Sequence, residues 1–280
     1  MQEKRRSPWK EGINMEVKKL SADKNKVSFL IKGINPFFAN TLRRLILEEV
    51  PVMAIEDVEF RDNSSALYDE IIAHRLGLLP LKTDIKSYYL PAECTCKGKG
   101  CAKCQLKMIL KAKGAAIVYA SDIKSKDPKV KPLYPKMPIV KLLKGQKLEL
   151  EATAQLGKGK DHSKHVPALV YYKNYPIIEF KSKITNPEEI VASCPVNVFE
   201  LKKNEVAIIK DNHLNCHLCR ACVDASKGAV RVKGSDSDFI FSIESWGQLA
   251  PREIVKEAIK ALNQKVDDFN KALTKKEKKK

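Results

Sequence analysis

The feature that most constrains the fold of this chain is a helix with clear limits on both sides, at residues 35–50. Asn35 is a favoured N-cap residue, and Pro36 suits the first helical position because that position needs no backbone N–H. Pro51 disfavours the α region for the residue before it, so the helix is expected to end at Val50. Between these limits, apolar residues recur every three or four positions and predict one apolar stripe. The stripe consists of Phe38, Leu42, Leu45 and Ile46.

The other face of this helix is charged. Arg43 and Arg44 lie side by side, and Glu48 follows Arg44 by one turn. Periodicity alone favours a core helix whose charged face is solvated. Leu47 and Val50 widen the apolar surface beyond what one small sheet would cover, so a further packing partner is expected.

The net charge of the chain points to acidic partners. Its 280 residues carry a formal charge of +18, which implies nucleic acid or acidic protein surfaces in an assembly. Charge alone does not separate these two. Part of the excess lies in residues 275–280, which we expect to form a disordered basic extension. A chain of this length is expected to form two or three domains.

We expect a cytoplasmic protein without a membrane anchor. The sequence has no run of about 18 apolar residues, the length that a transmembrane helix requires. Met1–Arg6 lead into no apolar segment, so no signal peptide is expected. The eight cysteines fall into two groups with short spacings. Without a secretory signal, such spacings favour metal ligation over disulfides.

The first cysteine group predicts a zinc site. Four thiolates satisfy Zn²⁺ in a closed tetrahedron, and such a site can stabilise a loop that has no core of its own. The alternative is a mobile loop of reduced thiols, and the first pair is Cys-x-Cys rather than the commoner Cys-x2-Cys. The four cysteines, within eleven residues, are Cys94, Cys96, Cys101 and Cys104.

The second cysteine group predicts an iron–sulfur cluster. The run Cys216-x2-Cys219-x2-Cys222 matches the first three ligands of a bacterial ferredoxin. Cys194, which precedes a proline, matches the fourth ligand. In ferredoxins with two clusters, the fourth cysteine ligates the other cluster, so Cys194 would complete the set here.

A ferredoxin-like segment also predicts an internal repeat, of which only half the ligands remain. A shift of 32 residues aligns Cys194 with Ser226 and the other three cysteines with Ile184, Pro187 and Ile190. One cluster is therefore expected rather than two. A [4Fe–4S] cluster is favoured over a [3Fe–4S] cluster, and zinc is the structural alternative.

Periodic patterns elsewhere predict short strands and two further helices. The clearest strand is 148–156, where every second residue is apolar. A short helix is expected within 67–81, and a final helix from Pro251 with an apolar face that includes Phe269. Residues 122–138 are expected to form a loop. The other expected strands are 17–20, 27–31, 53–60, 105–119 with a break at Gly114, 170–172, 177–180 and 239–243.

Several motifs resemble the RNA polymerase alpha-like family, which includes the bacterial alpha subunit, the third-largest subunit of the eukaryotic enzymes and its archaeal counterpart. Asn40–Leu45 (NTLRRL) resembles the signature helix of this family. Later motifs follow in the order that the family shows. They are Tyr-Asp-Glu at 68–70, His-Arg at 74–75, Pro-Leu at 80–81, the Gly-Lys-x-His-x-Lys loop at 159–164 and the turn 244–251 into the C-terminal helix.

This resemblance implies an α+β fold with a discontinuous dimerisation domain, an inserted β-rich domain and a ferredoxin-like insert. Bacterial alpha lacks the last of these, so the insert indicates the archaeal branch of the family. The expected dimerisation domain is 1–50 and 235–275 with parts of 166–181. The β-rich domain is 51–165 with the four-cysteine loop 94–104, and the ferredoxin-like domain is 182–234.

By the same resemblance, the chain would be a non-catalytic assembly subunit of the multi-subunit DNA-dependent RNA polymerase. The implied partners are the small alpha-like subunit L, the small zinc subunits N and P, and the second-largest catalytic subunit, with DNA contacted only through the complex. The chain lacks an Asp-x-Asp-x-Asp metal triad, as a scaffold would. The expected partner interface comprises Phe38, Leu42, Arg43, Arg44, Leu45, Ile254, Ala258, Leu262 and Val266.

Two other functions compete with this interpretation. An iron–sulfur redox protein would need a second cofactor signature, because a single cluster requires a relay or a catalytic partner to transport electrons; no such signature is present. A free nucleic-acid-binding module would need basic and aromatic residues interleaved on a sheet. Here the lysines are spread along the whole chain.

Overall fold

The computed structural model describes the backbone of residues 15–277 and the side chains of residues 15–274. Met1–Arg6 and the last three residues of the predicted basic tail lie outside this range. The described chain mixes helices with several sheets, which confirms the predicted α+β class. Its helices are α1 Pro36–Glu48, α2 Asp69–Gly77, α3 Pro187–Ser193, α4 Ala221–Ala225 and α5 Pro251–Glu277.

The strands of the described chain form four sheets, ordered β1-β2-β12-β9, β3-β8-β4-β6, β5-β7 and β10-β11. Within the same residues, no helix combines the length and the apolar character needed to cross a membrane. The strands are β1 Glu16–Ala22, β2 Lys26–Lys32, β3 Pro51–Asn63, β4 Gln105–Lys113, β5 Ala116–Tyr119, β6 Lys124–Ser125, β7 Pro138–Leu142, β8 Lys147–Lys158, β9 Ala168–Phe180, β10 Phe199–Lys202, β11 Glu205–Ile208 and β12 Val230–Ser245.

The chain divides into two compact units. The first consists of Ser28–Asn40, Tyr171–Ser242 and the described part of Met1–Ser21. It contains most of the sheet β1-β2-β12-β9, where the Phe29 and Phe241 rings stack with centroids 5.4 Å apart. The β10–β11 hairpin and helices α3 and α4 surround a smaller core. That core contains Ile190, Val198, Phe199 and Val230 together with three of the cysteines.

The second unit consists of Ala22–Val27, Thr41–Val170 and the described part of Ile243–Lys280. Its central strand is β8, which pairs antiparallel with β3 on one side and with β4 on the other. Alternate β8 residues face the core, as predicted for 148–156, because successive side chains of a strand point to opposite faces. The buried β8 residues are Leu148, Leu150, Ala152, Ala154 and Leu156.

The opening helix forms with the predicted cap. The Phe38 N–H donates a 2.7 Å hydrogen bond to Asn35 Oδ1. Leu42, Leu45 and Ile46 are buried, as an apolar stripe requires, whereas Phe38 is 38% exposed. The stripe prediction is therefore confirmed for the central turns of the helix, and its first turn leaves an aromatic ring at the surface.

The largest difference from the predicted elements is in β9. The two strands expected at 170–172 and 177–180 are one continuous strand, because the polar residues between them have partners. Lys173 Nζ donates to the Leu214 carbonyl, and Asn174 Nδ2 donates to the Ser235 carbonyl. Polar residues that resemble a break in the apolar pattern are thus part of the strand.

Three smaller differences concern element limits. The strand expected at 239–243 begins much earlier, at Val230, inside the segment assigned to the ferredoxin-like domain. The loop expected at 122–138 includes the two-residue strand β6, paired with β4. Helix α5 continues to Glu277, so the first three residues of the predicted disordered tail are helical.

Candidate metal centres and partner surfaces

The first cysteine group forms a compact cluster of sulfur atoms. The four Sγ atoms all lie within 4.8 Å of one another. The separations are 3.6 Å for Cys94–Cys101, 3.5 Å for Cys96–Cys104 and 3.8 Å for Cys101–Cys104. Zinc–thiolate bonds of about 2.3 Å give a tetrahedron with edges of about 3.8 Å. A disulfide would instead bring two sulfur atoms to about 2.05 Å, and all four cysteines are free.

Tight turns bring these four sulfurs together. Lys97, Gly98 and Gly100 have positive φ values of 54°, 79° and 85°, a backbone conformation that glycine adopts without strain. The Cys101 N–H donates to Cys104 Sγ at 3.3 Å. This amide–sulfur bond links Cys101 and Cys104 within the turn.

Two thiols of this group, Cys96 and Cys104, differ in how readily they lose a proton. Burial opposes ionisation of Cys96, but hydrogen bonds from Cys94 and Cys104 lower the pKa of its thiol to about 6. Burial raises the pKa of Cys104 to about 12. A divalent cation bound to all four sulfurs would displace the remaining protons, since thiolates are the ligating form. The donor set therefore fits zinc.

The second cysteine group is assembled from three separate segments. Cys194 ends α3, Cys216 follows the 3₁₀ turn His213–Asn215, and Cys222 lies in α4. Cys216 and Cys222 are buried and Cys219 is exposed. Among the described residues, only the first group brings its ligand atoms within 4.8 Å of one another, so the second group is the wider of the two.

Backbone geometry around the second group is unusual for residues other than glycine. Leu218 and Arg220 have φ values of 62° and 66°. Left-handed residues can turn neighbouring amides toward a common point, an arrangement found at iron–sulfur sites. Consistent with this, the Val198 N–H donates to Cys194 Sγ at 3.3 Å, and the backbone N–H of Leu218 lowers the pKa of Cys216 against the effect of burial.

The four sulfurs of this group interact electrostatically. Burial, followed by the negative charges of the other three thiolates, raises the pKa of Cys222 to about 11. Burial is also the main cause that raises the pKa of Cys216. Four thiolates at this site need a cation to offset their mutual repulsion. A partly buried set of four sulfurs with amide donors fits an iron–sulfur cluster.

The structure places the predicted partner-interface residues of α5 at different depths. Ile254 and Ala258 are fully buried within the chain, Leu262 is half-buried, and Val266 is 50% exposed. Exposed apolar residues lie both before and after Val266, at spacings of seven, three and four, which keep them on one side of the helix. This surface, the α5 stripe, consists of Ile259, Val266, Phe269 and Leu273.

The predicted interface residues of α1 also differ in exposure. Leu42 and Leu45 are buried. Arg43 is half-buried, and the Arg44 guanidinium pairs with Glu48 at 2.9 Å. Exposed apolar surface is found instead in the first turn, where Phe37 is 82% exposed.

Sequence reasoning missed a buried carboxylate just after α1. Glu49 is only 4% exposed and lies 2.7 Å from Lys265 Nζ, 3.1 Å from Lys158 Nζ and 3.7 Å from Lys160 Nζ. Burial opposes its ionisation, but hydrogen bonds from Lys265 and Lys158 lower the pKa of Glu49. The signal in the sequence that could have indicated this burial was that Glu49 falls on the apolar side of the helical pattern.

The loop 157–167 is fixed to its own unit. Buried His165 has Nδ1 2.8 Å from the Val52 carbonyl oxygen, and Lys164 Nζ donates to the Ile55 carbonyl at 3.1 Å. A Cβ at Gly159 would overlap the Leu47 carbonyl oxygen, so only glycine fits there. These contacts account for the histidine and the glycine without a metal ion.

Comparison with known proteins shows which proteins this chain is similar to. The family model for the RNA polymerase Rpb3/RpoA insert domain matches residues 58–171. The subunit Rpo3 of the DNA-directed RNA polymerase of Methanosphaera stadtmanae is 39% identical over 267 residues, covering 92% of this chain and 97% of the relative. Rpo3 of Pyrococcus horikoshii is 37% identical, covering 91% and 96%, and Rpo3 of Archaeoglobus fulgidus is 36% identical, covering 92% and 97%.

The chain belongs to the Rpo3 family of DNA-directed RNA polymerase subunits. The alpha-like resemblance of the short motifs is thereby confirmed. Because similarity to Rpo3 proteins extends over nearly the whole chain, both cysteine groups lie within the aligned Rpo3 length rather than in an unrelated appended domain. An independent iron–sulfur redox protein is not favoured.

Proposed function

We propose that this chain is the non-catalytic assembly subunit of an archaeal-type, multi-subunit DNA-directed RNA polymerase, acting in the cytoplasm. The observation that carries the proposal is the 35–39% identity to subunits named Rpo3 over more than nine-tenths of the chain. The fold supports it, because the buried ionisable residues Glu49 and His165 are engaged in ion pairs and internal hydrogen bonds that hold their own unit together.

Assembly requires surfaces for other subunits, and two exposed apolar surfaces are available. The α5 stripe defined above is proposed to pair with the small alpha-like subunit L. Phe37 and Phe38, at the start of α1, offer a further apolar contact for the same partner. Subunits N and P and the second-largest catalytic subunit complete the proposed set of partners, and DNA is reached only through the complex.

The proposed domain division follows the sequence motifs. Residues 1–50 and 235–275, with parts of 166–181, would form the dimerisation domain, and residues 182–234 the ferredoxin-like domain. The match of residues 58–171 to the insert-domain model supports an insert domain near 51–165.

Two cofactors are proposed to stabilise this scaffold. One zinc ion would be held by Cys94, Cys96, Cys101 and Cys104, supported by sulfur separations close to the edges of a zinc–thiolate tetrahedron. One [4Fe–4S] cluster would be held by Cys194, Cys216, Cys219 and Cys222, supported by the amide–sulfur bonds and the left-handed residues around them. When bound, the cluster would crosslink α3, α4 and the loop before α4, next to the smaller core around Ile190 and Val198.

The proposal is tested by purifying the tagged chain from cells that express it natively and identifying the proteins that accompany it in stoichiometric amounts. We expect the large catalytic subunits and the small alpha-like subunit. The chain purified alone should synthesise no RNA on any template. Recovery of the chain without polymerase subunits, or template-directed synthesis by the isolated chain, would contradict the proposal.

A further inference from the structure

A half-buried lysine lies beside the second cysteine group, on a strand outside the cysteine run. Lys173 belongs to β9, and its Nζ donates to the Leu214 carbonyl at 2.6 Å and to the Cys216 carbonyl at 3.1 Å. An ammonium group has three donors, so two of them are used on the loop that carries the first ligand of the run. We infer that Lys173 is a positioning residue for the cluster, which fixes this loop and supplies a positive charge next to Cys216.

The surrounding contacts show that β9 holds this loop firmly. His213 Nε2 lies 3.0 Å from the Pro176 carbonyl oxygen, and the His213 ring packs edge-on against Tyr175 with centroids 5.3 Å apart. A Cβ on Gly234 would come within 2.7 Å of Asn174 Cβ and 3.2 Å of Leu218 Cδ1. The loop is therefore closely packed on both sides of the Lys173 hydrogen bonds, and Lys173 contributes a full charge to this contact.

The ammonium is also within electrostatic reach of the ligand sulfur. Its Nζ is held 3.1 Å from the backbone carbonyl oxygen of Cys216, the residue that carries this sulfur. A [4Fe–4S] core ligated by four thiolates is an anion, and reduction adds one more negative charge. A nearby cation stabilises the reduced form more than the oxidised form, and less so where solvent screens it. Lys173 should therefore make the cluster easier to reduce and harder to lose.

This inference rests on the proposed cluster at Cys194, Cys216, Cys219 and Cys222. The experiment uses the full chain, purified anaerobically and supplied with iron and sulfide, and compares Lys173→Met, Lys173→Arg and Lys181→Met with the wild type. Lys181 is exposed just beyond the end of β9, so Lys181→Met removes the same charge without touching the ligand loop. Iron per chain is counted, and the reduction midpoint is measured with dithionite as the electron donor.

We expect Lys173→Met to reduce the equilibrium constant for cluster reduction by about tenfold, a midpoint about 59 mV lower for a one-electron couple. Lys173→Arg should recover most of the change, and Lys181→Met should resemble the wild type. A Lys173→Met protein that folds but retains iron poorly, while Lys173→Arg retains it, would also support the inference.

Three results would overturn it. Equal midpoints and iron contents in Lys173→Met and the wild type would show that Lys173 does not act on the cluster, as would equal shifts in Lys173→Met and Lys181→Met. A wild-type chain that binds no iron would remove the cluster assignment itself, and the role of Lys173 with it. The iron count of the wild type thus distinguishes failure of the cofactor from failure of the inference.

Discussion

Lys265, in the middle of α5, lies with its Nζ 2.7 Å from the carboxylate of Glu49, which is 4% exposed. Glu49 follows the last residue of α1, and its other oxygen lies 3.1 Å from Lys158 Nζ on β8. Within the second unit, one carboxylate therefore connects the C-terminal helix to the central strand. The Glu49–Lys265 pair fixes the position of α5 on this strand more specifically than apolar packing alone, because an ion pair requires particular partners.

The first prediction concerns the stability that Glu49 provides. Glu49→Gln keeps the shape but removes the charge, and should lower the free energy of unfolding at pH 7 by about 1–3 kcal/mol. Because the folded-state pKa of Glu49 is lowered, its contribution is complete above the unfolded value of about 4.3 and is lost as the pH falls through the folded value. The wild type and the variant should therefore converge in acid.

Urea denaturation at pH 7 and at pH values below 4 measures these free energies of unfolding. Adding Lys265→Met and the Glu49→Gln/Lys265→Met double variant completes a double-mutant cycle. The cycle should show a favourable coupling between Glu49 and Lys265 at pH 7 that is absent in acid. Equal free energies of unfolding for the wild type and Glu49→Gln at every pH would show that the carboxylate adds no net stability.

The second prediction concerns zinc. Cys101→Ser removes one of four ligands and should reduce zinc from about one ion per chain to a small fraction, since a structural site needs its complete set. Lys103→Ser, two residues along in the same loop, should retain zinc and serves as the matched control. Metal analysis of both proteins gives the answer. A zinc content that is low in the wild type, or unchanged in Cys101→Ser, would reject the four-thiol site.

The third prediction separates the two cysteine groups. Cys219→Ser should abolish the visible absorption of the iron–sulfur cluster and leave zinc unchanged, because Cys219 belongs only to the second group. His217→Ser changes an exposed neighbour that is not proposed as a ligand, and should keep both the cluster and the zinc. Absorption spectra and metal analysis of anaerobically prepared protein provide the check. Iron equivalent to two clusters in the wild type would contradict the single-cluster assignment.

Much of this architecture could be predicted because local signals agreed with the tertiary contacts. The Asn35 cap and the alternation along β8 depend on backbone geometry that neighbouring residues determine. The continuity of β9 could not be predicted, because the partners of Lys173 and Asn174 lie about forty and sixty residues further along the chain.

The candidate sites show the same limit. Cysteine spacing alone predicted both candidate ligand groups, since a metal site needs few residues at fixed intervals. The partner surface was harder to predict, because an apolar periodicity shows that a helix face is covered but does not show what covers it. Ile254 and Ala258 share that periodicity with Val266, yet the first two are buried within the chain. Only the structure separates residues that pack internally from residues free to meet a partner.

The last prediction tests the α5 stripe as the surface for the small alpha-like subunit. Val266→Glu places a charge where an apolar side chain would be buried on pairing. Because half of Val266 is already covered in the free chain, the change removes about 1 kcal/mol of burial and adds the cost of desolvating a carboxylate. Since about 1.4 kcal/mol changes affinity tenfold, we expect the dissociation constant to rise at least tenfold and the pair to separate during size-exclusion chromatography.

The matched control for Val266→Glu is Gln264→Glu. It adds the same charge two residues away, about 200° around the helix, and should pair normally. Leu262→Glu is a weaker test, because Leu262 is half-buried and its change also affects internal packing. Visible absorption of the cluster in each eluted peak reports whether the chain is folded. If Val266→Glu elutes with its partner at wild-type stoichiometry, the α5 stripe is not the interface, and the exposed rings of Phe37 and Phe38 become the surface to change next.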